Sequence, residues 1–247
     1  MSTRQKSQGS PWLYAEADGD LVGVKDPDGS ELFWPNGVNE NQQFAKASFD
    51  TTAPATTLGV GEMRWNDTDG TLEFVLKGGN VTLQIGQEQV TLVKAADNNG
   101  LLEGKVVYIA GSDGSNKTAT YAQANGELSS TTTFGVMTET ATGGNKAFCT
   151  TFGMVRDINT SALTEGAVVW LSPSVAGGMT TTKPVAPDHL VQIGYCVRQH
   201  ANNGSIFVSV KNGYELDELH NVKITNPQDG QVLKYQAATG LWINAAP

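Results

Sequence analysis

Cysteine is nearly absent from this chain. The two present in 247 residues, Cys149 and Cys196, are too few for a disulfide framework. Each lies among apolar, strand-like neighbours, so buried free thiols are the expected state. Basic charge is scarce as well: 16 Lys and Arg stand against 25 Asp and Glu, a net charge of −9 that repels phosphate backbones and anionic lipid. Nucleic acid is therefore not an expected partner. No apolar run approaches the roughly 20 residues that span a bilayer. The opening MSTRQKSQGSPW lacks the apolar stretch of a secretory leader. Together these absences lead us to expect synthesis in a cytoplasm, without a signal peptide and without membrane insertion. Helical periodicity is missing too; the one stretch that suggests a helical turn is 214–220, too short to organise a fold.

What is abundant is turn chemistry. Gly occurs 28 times, and Asp-Gly or Asn-Gly pairs recur from Asp18-Gly19 to Asp229-Gly230, supplying the positive φ that tight hairpins need. Between them lie short runs rich in Val, Ile, Thr and aromatics, a spacing that reads as a β-sandwich or barrel. The segment GGNVTLQIGQEQVTLVKA (78–95) shows the pattern and a break in it. Val81, Leu83 and Ile85 share one face of an extended chain; after Gly86 the apolar set moves to Val90 and Leu92, which requires a bulge or turn. The expected organisation is an N-terminal β-meander (1–37), a polar linker (38–57), a β-hairpin segment suited to oligomerisation (58–95), a barrel or sandwich (96–213) and a C-terminal hairpin tail (214–247). MRWNDTDGTL (63–72) and LKYQAATGLW (233–242) superpose as one hairpin recipe used twice. A lone hairpin is marginal in water, so each copy needs a surface to pack on. Burial between identical chains around a common axis meets that need. The expected interface residues are Val81, Leu83, Ile85, Trp65, Tyr235 and Trp242.

Catalytic and metal chemistry find little support. His189, His200 and His220 are scattered, without metal-ligand spacing. In DTDGTLE (67–73), a calcium-loop register puts Trp65 and Leu76 where carboxylates belong, which leaves a turn. No G-x-S-x-G elbow or phosphate-binding glycine loop occurs. Trp12, Trp34, Trp65, Trp170 and Trp242 could present flat faces to a sugar, but core or interface anchoring is the stronger reading. No cofactor is expected.

Three stretches, LGVGEMRWNDTDGTLEFVLKGGNVTLQIGQEQVTLVKAADNNGLLEGKVVYIAGSDG (58–114), residues 150–224 from TTFGMVRD to LHNVKI, and DGQVLKYQAATGLWIN (229–244), resemble structural proteins of tailed-bacteriophage virions, of the fibre, spike or decoration type. The resemblance covers about residues 58–247. It implies a mostly β, homotrimeric, non-enzymatic virion component, exposed on the capsid as a head fibre or decoration protein. A tail fibre or tail-fibre adaptor engaged in host attachment is the alternative. A glycan-binding or depolymerising tailspike ranks below both, because the nearest carboxylates, Asp217 and Glu218, are adjacent and diverge on a strand. By the same analogy the N-terminal meander docks on the particle through Trp12, Tyr14, Phe33 and Trp34. The implied partners are sister chains, a major capsid protein or tail protein, and a host-surface glycan.

Overall fold

The structure is a computed structural model that describes residues 57–96 and 98–247, residues 49 and 51, and the backbone of four strands nearer the N-terminus. The chain divides into two units, Met1–Phe49 and Asp50–Pro247. The first is an antiparallel sheet of β1 (Arg4–Gln5), β2 (Trp12–Ala15), β3 (Leu21–Lys25) and β4 (Glu31–Phe33) in chain order. The meander expected from sequence thus gains a strand, since β1 pairs with β2 through Arg4 opposite Tyr14. Trp12, Tyr14 and Phe33 lie in these strands. Trp34 and most of the polar 38–57 stretch fall outside the described residues.

The second unit is β structure almost throughout. It opens with a three-stranded antiparallel sheet, β5 (Met63–Asn66), β6 (Thr71–Val75) and β7 (Thr82–Gln84). Gly86, at φ 88°, then turns the chain into another sheet, which is how the apolar phase changes at that residue. Next come β8 (Gln89–Ala95), β9 (Val106–Ser112), β10 (Lys117–Tyr121), the one-turn helix α1 (Glu127–Thr131), β11 (Thr133–Met137) and β12 (Lys146–Ile158). Pairing runs β8–β12–β11–β9–β10 and returns to β8, closing a five-stranded barrel. The β8–β10 contact is parallel and the other four are antiparallel.

The barrel is narrow and its filling is small. Val93, Ala95, Val107, Ala119, Ala147 and Cys149 line the interior with Leu101 and Met137. This corrects the sequence reading of β8. Thr91, Val93 and Ala95 face inward, whereas Leu92 points out and is 43% exposed.

β12 is long enough to serve two cores. Beyond the barrel it pairs with β16 (Gly204–Asn212), which pairs with β15 (Val191–Arg198), then β13 (Val168–Leu171) and β14 (Met179–Thr180). Val155, Ile158, Val169, Ile193, Cys196, Ile206 and Val208 bury against one another on the inner face of this second sheet. Both cysteines are free and buried, one in each core. Burial pushes the Cys149 thiol up to about 12, with a small opposing pull from Lys117. After a 3₁₀ turn at Leu216–Glu218, the tail forms a last sheet of β17 (Val222–Lys223), β18 (Val232–Gln236) and β19 (Leu241–Ala245), in the order β17–β19–β18.

Candidate functional site

The two copies of the hairpin recipe fold alike. In each, four turn residues end in glycine, Gly70 at φ 64° and Gly240 at φ 69°. The glycine N–H donates at 2.9 Å to the last residue of the first strand, Asn66 or Gln236. That residue's side chain bonds the third turn residue: Asn66 Nδ2 donates to Asp69 at 2.9 Å, and Gln236 Oε1 accepts from Thr239 at 2.7 Å.

Their surroundings differ. In the β5–β7 sheet, Thr71, Glu73 and Val75 alternate as buried residues along β6. Glu73 accepts from Arg64 Nε at 2.9 Å and from Asn66 Nδ2 at 2.6 Å. Burial alone would raise its carboxyl, but those bonds, the Arg64 charge and Gln84 outweigh burial and hold it below the ordinary carboxylate range. Arg156 on β12 then ties the sheet to the body, bridging buried Glu88 at 2.5 Å and donating to Gln84 Oε1 at 3.0 Å. Of the residues expected at an interface here, Val81 is buried in its own chain, Leu83 and Trp65 are half-buried, and Ile85 is exposed.

Among the described residues the tail sheet has no such tie, and no residue of 214–247 is buried. Across its three strands Val222, Trp242 and Tyr235 lie in register on one face, with Leu233 beside them. The Tyr235 and Trp242 rings sit 5.6 Å apart between centroids, a cross-strand aromatic pair. Tyr235 is nevertheless 55% exposed, and Trp242 and Leu233 about as open to water. Of the five tryptophans, the three whose side chains are described (Trp65, Trp170, Trp242) are half-buried or exposed, and none of these three is fully buried.

Where the tail leaves the body, two carboxylates flank one imidazole. His189 Nδ1 lies 3.0 Å from Glu215, and its Nε2 lies 3.8 Å from Glu127 at the start of α1. Burial, followed by the hydrogen bond and charge of Glu218, raises the Glu127 carboxyl, against a lowering pull from His189. Glu218 is therefore paired with Glu127 at the start of α1.

A cleft of about 640 Å³ lies beside Arg156, lined by Glu103, Glu139, Asp157, Asn80 and Thr138 among others. Glu103 is raised by burial, then by the charges of Asp157 and Glu139. Among the described residues, no three His, Cys, Asp or Glu side chains are placed to hold a metal ion.

Sequence reasoning missed one surface altogether. On the outward face of the second sheet, Val168, Tyr195, Phe207 and Met154 stand in one row across β13, β15, β16 and β12. Phe152 packs edge-on against Phe207 at 5.2 Å, and Phe152, Tyr195 and Val197 are exposed. The available signal was apolar residues at both parities in FGMV, YCV and IFVSV, the pattern of strands with two apolar faces. No protein-family model, curated protein or solved structure matches this chain.

Proposed function

We propose that this chain is a non-enzymatic structural component of a tailed-bacteriophage virion, an exposed fibre or decoration protein that works as a homotrimer on the capsid surface. The observation that carries the reading is the tail: a folded three-stranded sheet, with an aromatic row on one face, that buries nothing in its own chain. A sheet so small gains independent stability only by packing an apolar face against something. A cyclic assembly supplies that surface by repeating the same patch around an axis. Completing the burial of Trp242, Tyr235 and Leu233 contributes about 1 kcal/mol each per copy.

The function is then mechanical: the barrel body is a stiff spacer, and the tail is the seam between copies. The N-terminal unit, through Trp12, Tyr14 and Phe33, is the candidate for docking on a capsid or tail protein. The surrounding acidity limits stray contact with DNA and with like particles. A tail fibre or adaptor would use the same seam at a different place on the particle.

Native mass measurement of the purified chain at sub-micromolar concentration tests the assembly, with a trimer expected; a monomer at every concentration overturns the reading. Copies counted per purified virion separate the two locations. A number that follows capsid symmetry supports decoration, and six or twelve supports the tail.

A further inference from the structure

We infer that the outward face of the β12–β16–β15 sheet is a second contact between copies of this chain, and that it receives the acidic, apolar segment 214–219 of a sister molecule. This rests on the self-association proposed above and adds a surface distinct from the tail seam. The aromatic row with Tyr195, Phe207 and Met154 gives the sheet an apolar outer face to match its buried inner one. The charged residues at outward positions of β15 and β16 are both basic, Arg198 and Lys211, in a chain whose net charge is −9. On β12 the charge is already engaged, since Arg156 is paired with Glu88, and Met154, Arg156 and Asp157 border the acidic cleft.

The segment Tyr-Glu-Leu-Asp-Glu-Leu has the complementary make-up. Tyr214 is 78% exposed, Leu216 and Leu219 are nearly half-exposed, and Glu215, Asp217 and Glu218 alternate with them. Gly213 N–H, bonded to the Leu190 carbonyl at 2.8 Å, pins the segment where it leaves β16, and its own chain leaves Tyr214 largely open and Leu216 and Leu219 half-covered. Apolar groups meeting an aromatic row, with Asp217 falling against a basic rim, give both attraction and register. Because the patch and the segment are different surfaces, the contact is heterologous and closes as a ring when the rotation allows.

The test uses the full chain and its oligomeric mass by sedimentation across a concentration series. A face reversal, Arg198→Glu with Lys211→Glu, and a segment reversal at Asp217→Lys, are each expected to weaken association at least tenfold. All three changes in one chain are expected to restore it. Phe207→Ser, checked for an unchanged fold by circular dichroism, is expected to weaken association without charge rescue. Unchanged mass in the face and segment variants, with dissociation in Trp242→Ala, overturns this contact and leaves the tail seam standing. Loss in both reversals without recovery in the combined variant overturns the pairing of these two surfaces. Tight binding of a single-stranded oligonucleotide at physiological salt, abolished by the face reversal, assigns the face to an anionic polymer instead. A wild-type chain that is always monomeric removes both this inference and the proposal beneath it.

Discussion

The β5–β7 sheet and the β17–β19 sheet start from the same hairpin and end in opposite situations. Both reverse through four residues with glycine last, and both place an aromatic residue, Trp65 or Tyr235, one position before the end of the first strand. The first sheet is fastened to the body by Arg156, Glu88 and Gln84 and buries alternate residues of β6. Among the described residues the second is fastened by nothing comparable, and it buries none of its own. A shared local recipe therefore fixes the turn and the register, while the partners of the strands decide whether the product is a finished part or half of a joint.

Arg156→Ala attacks the fastened sheet and should have the largest effect. It leaves Glu88, 3% exposed at its side chain, without its cation. The cost is expected near 2–3 kcal/mol, below the full buried-pair value because Arg156 is itself partly in water. Denaturant unfolding of the body reads it; amide exchange should rise in β5–β7 and stay constant in β17–β19. Trp242→Ala should do the reverse, leaving the unfolding midpoint of the body unmoved while association weakens about tenfold, or roughly 1.4 kcal/mol. Tyr235→Ala should follow it. Trp65→Ala should act mainly on its own hairpin, where its indole N–H donates to Asp67 at 3.1 Å, with little change in oligomer mass.

Acid should separate the two regions by sign. Glu73 is held below its ordinary value of 4.5, so its contribution is full above that value and lost as pH falls through the lower, folded one. Glu127 at the tail root is raised above 4.5, so its contribution is full below that value and lost as pH rises through the higher, folded one. Between pH 7 and pH 3, amide protection corrected for intrinsic exchange should fall in β5–β6 and rise around 215–218. Parallel trends at the two places would refute this account of their charges. Smallest of all, Gly70→Ala and Gly240→Ala should cost about 1 kcal/mol each. Neither position has a neighbour that an added methyl would meet, so only backbone strain remains and the two costs should agree.

The turns and most strands were legible because Asp-Gly and Asn-Gly leave few alternatives. The paired hairpins were legible because their spacing repeats. The inward face of β8 was not, since hydrophobicity alone favours Leu92 over Thr91, and only the register with β12, Thr91 opposite Cys149 and Val93 opposite Ala147, shows which parity the barrel buries. Helix α1 was hidden in ELSST, whose hydroxyls bond back to carbonyls one turn earlier, Ser130 to Gly126 at 2.6 Å and Thr131 to Glu127 at 2.8 Å. At the candidate sites, Trp242 and Tyr235 were named from sequence as interface residues, and their pairing across two strands comes from the register of β18 with β19. The outward aromatic row joins residues far apart in the chain, and only the pairing of β12 with β16 and β15 brings them together.

That single long strand has one more consequence. β12 carries Cys149 in the barrel filling, and through β16 it abuts the layer that holds Cys196. Neither half of the body can shed β12 and keep its own walls. A thiol-specific reagent added under native conditions should therefore find both sulfurs at one shared rate, a clock for the moment when the whole body comes apart together.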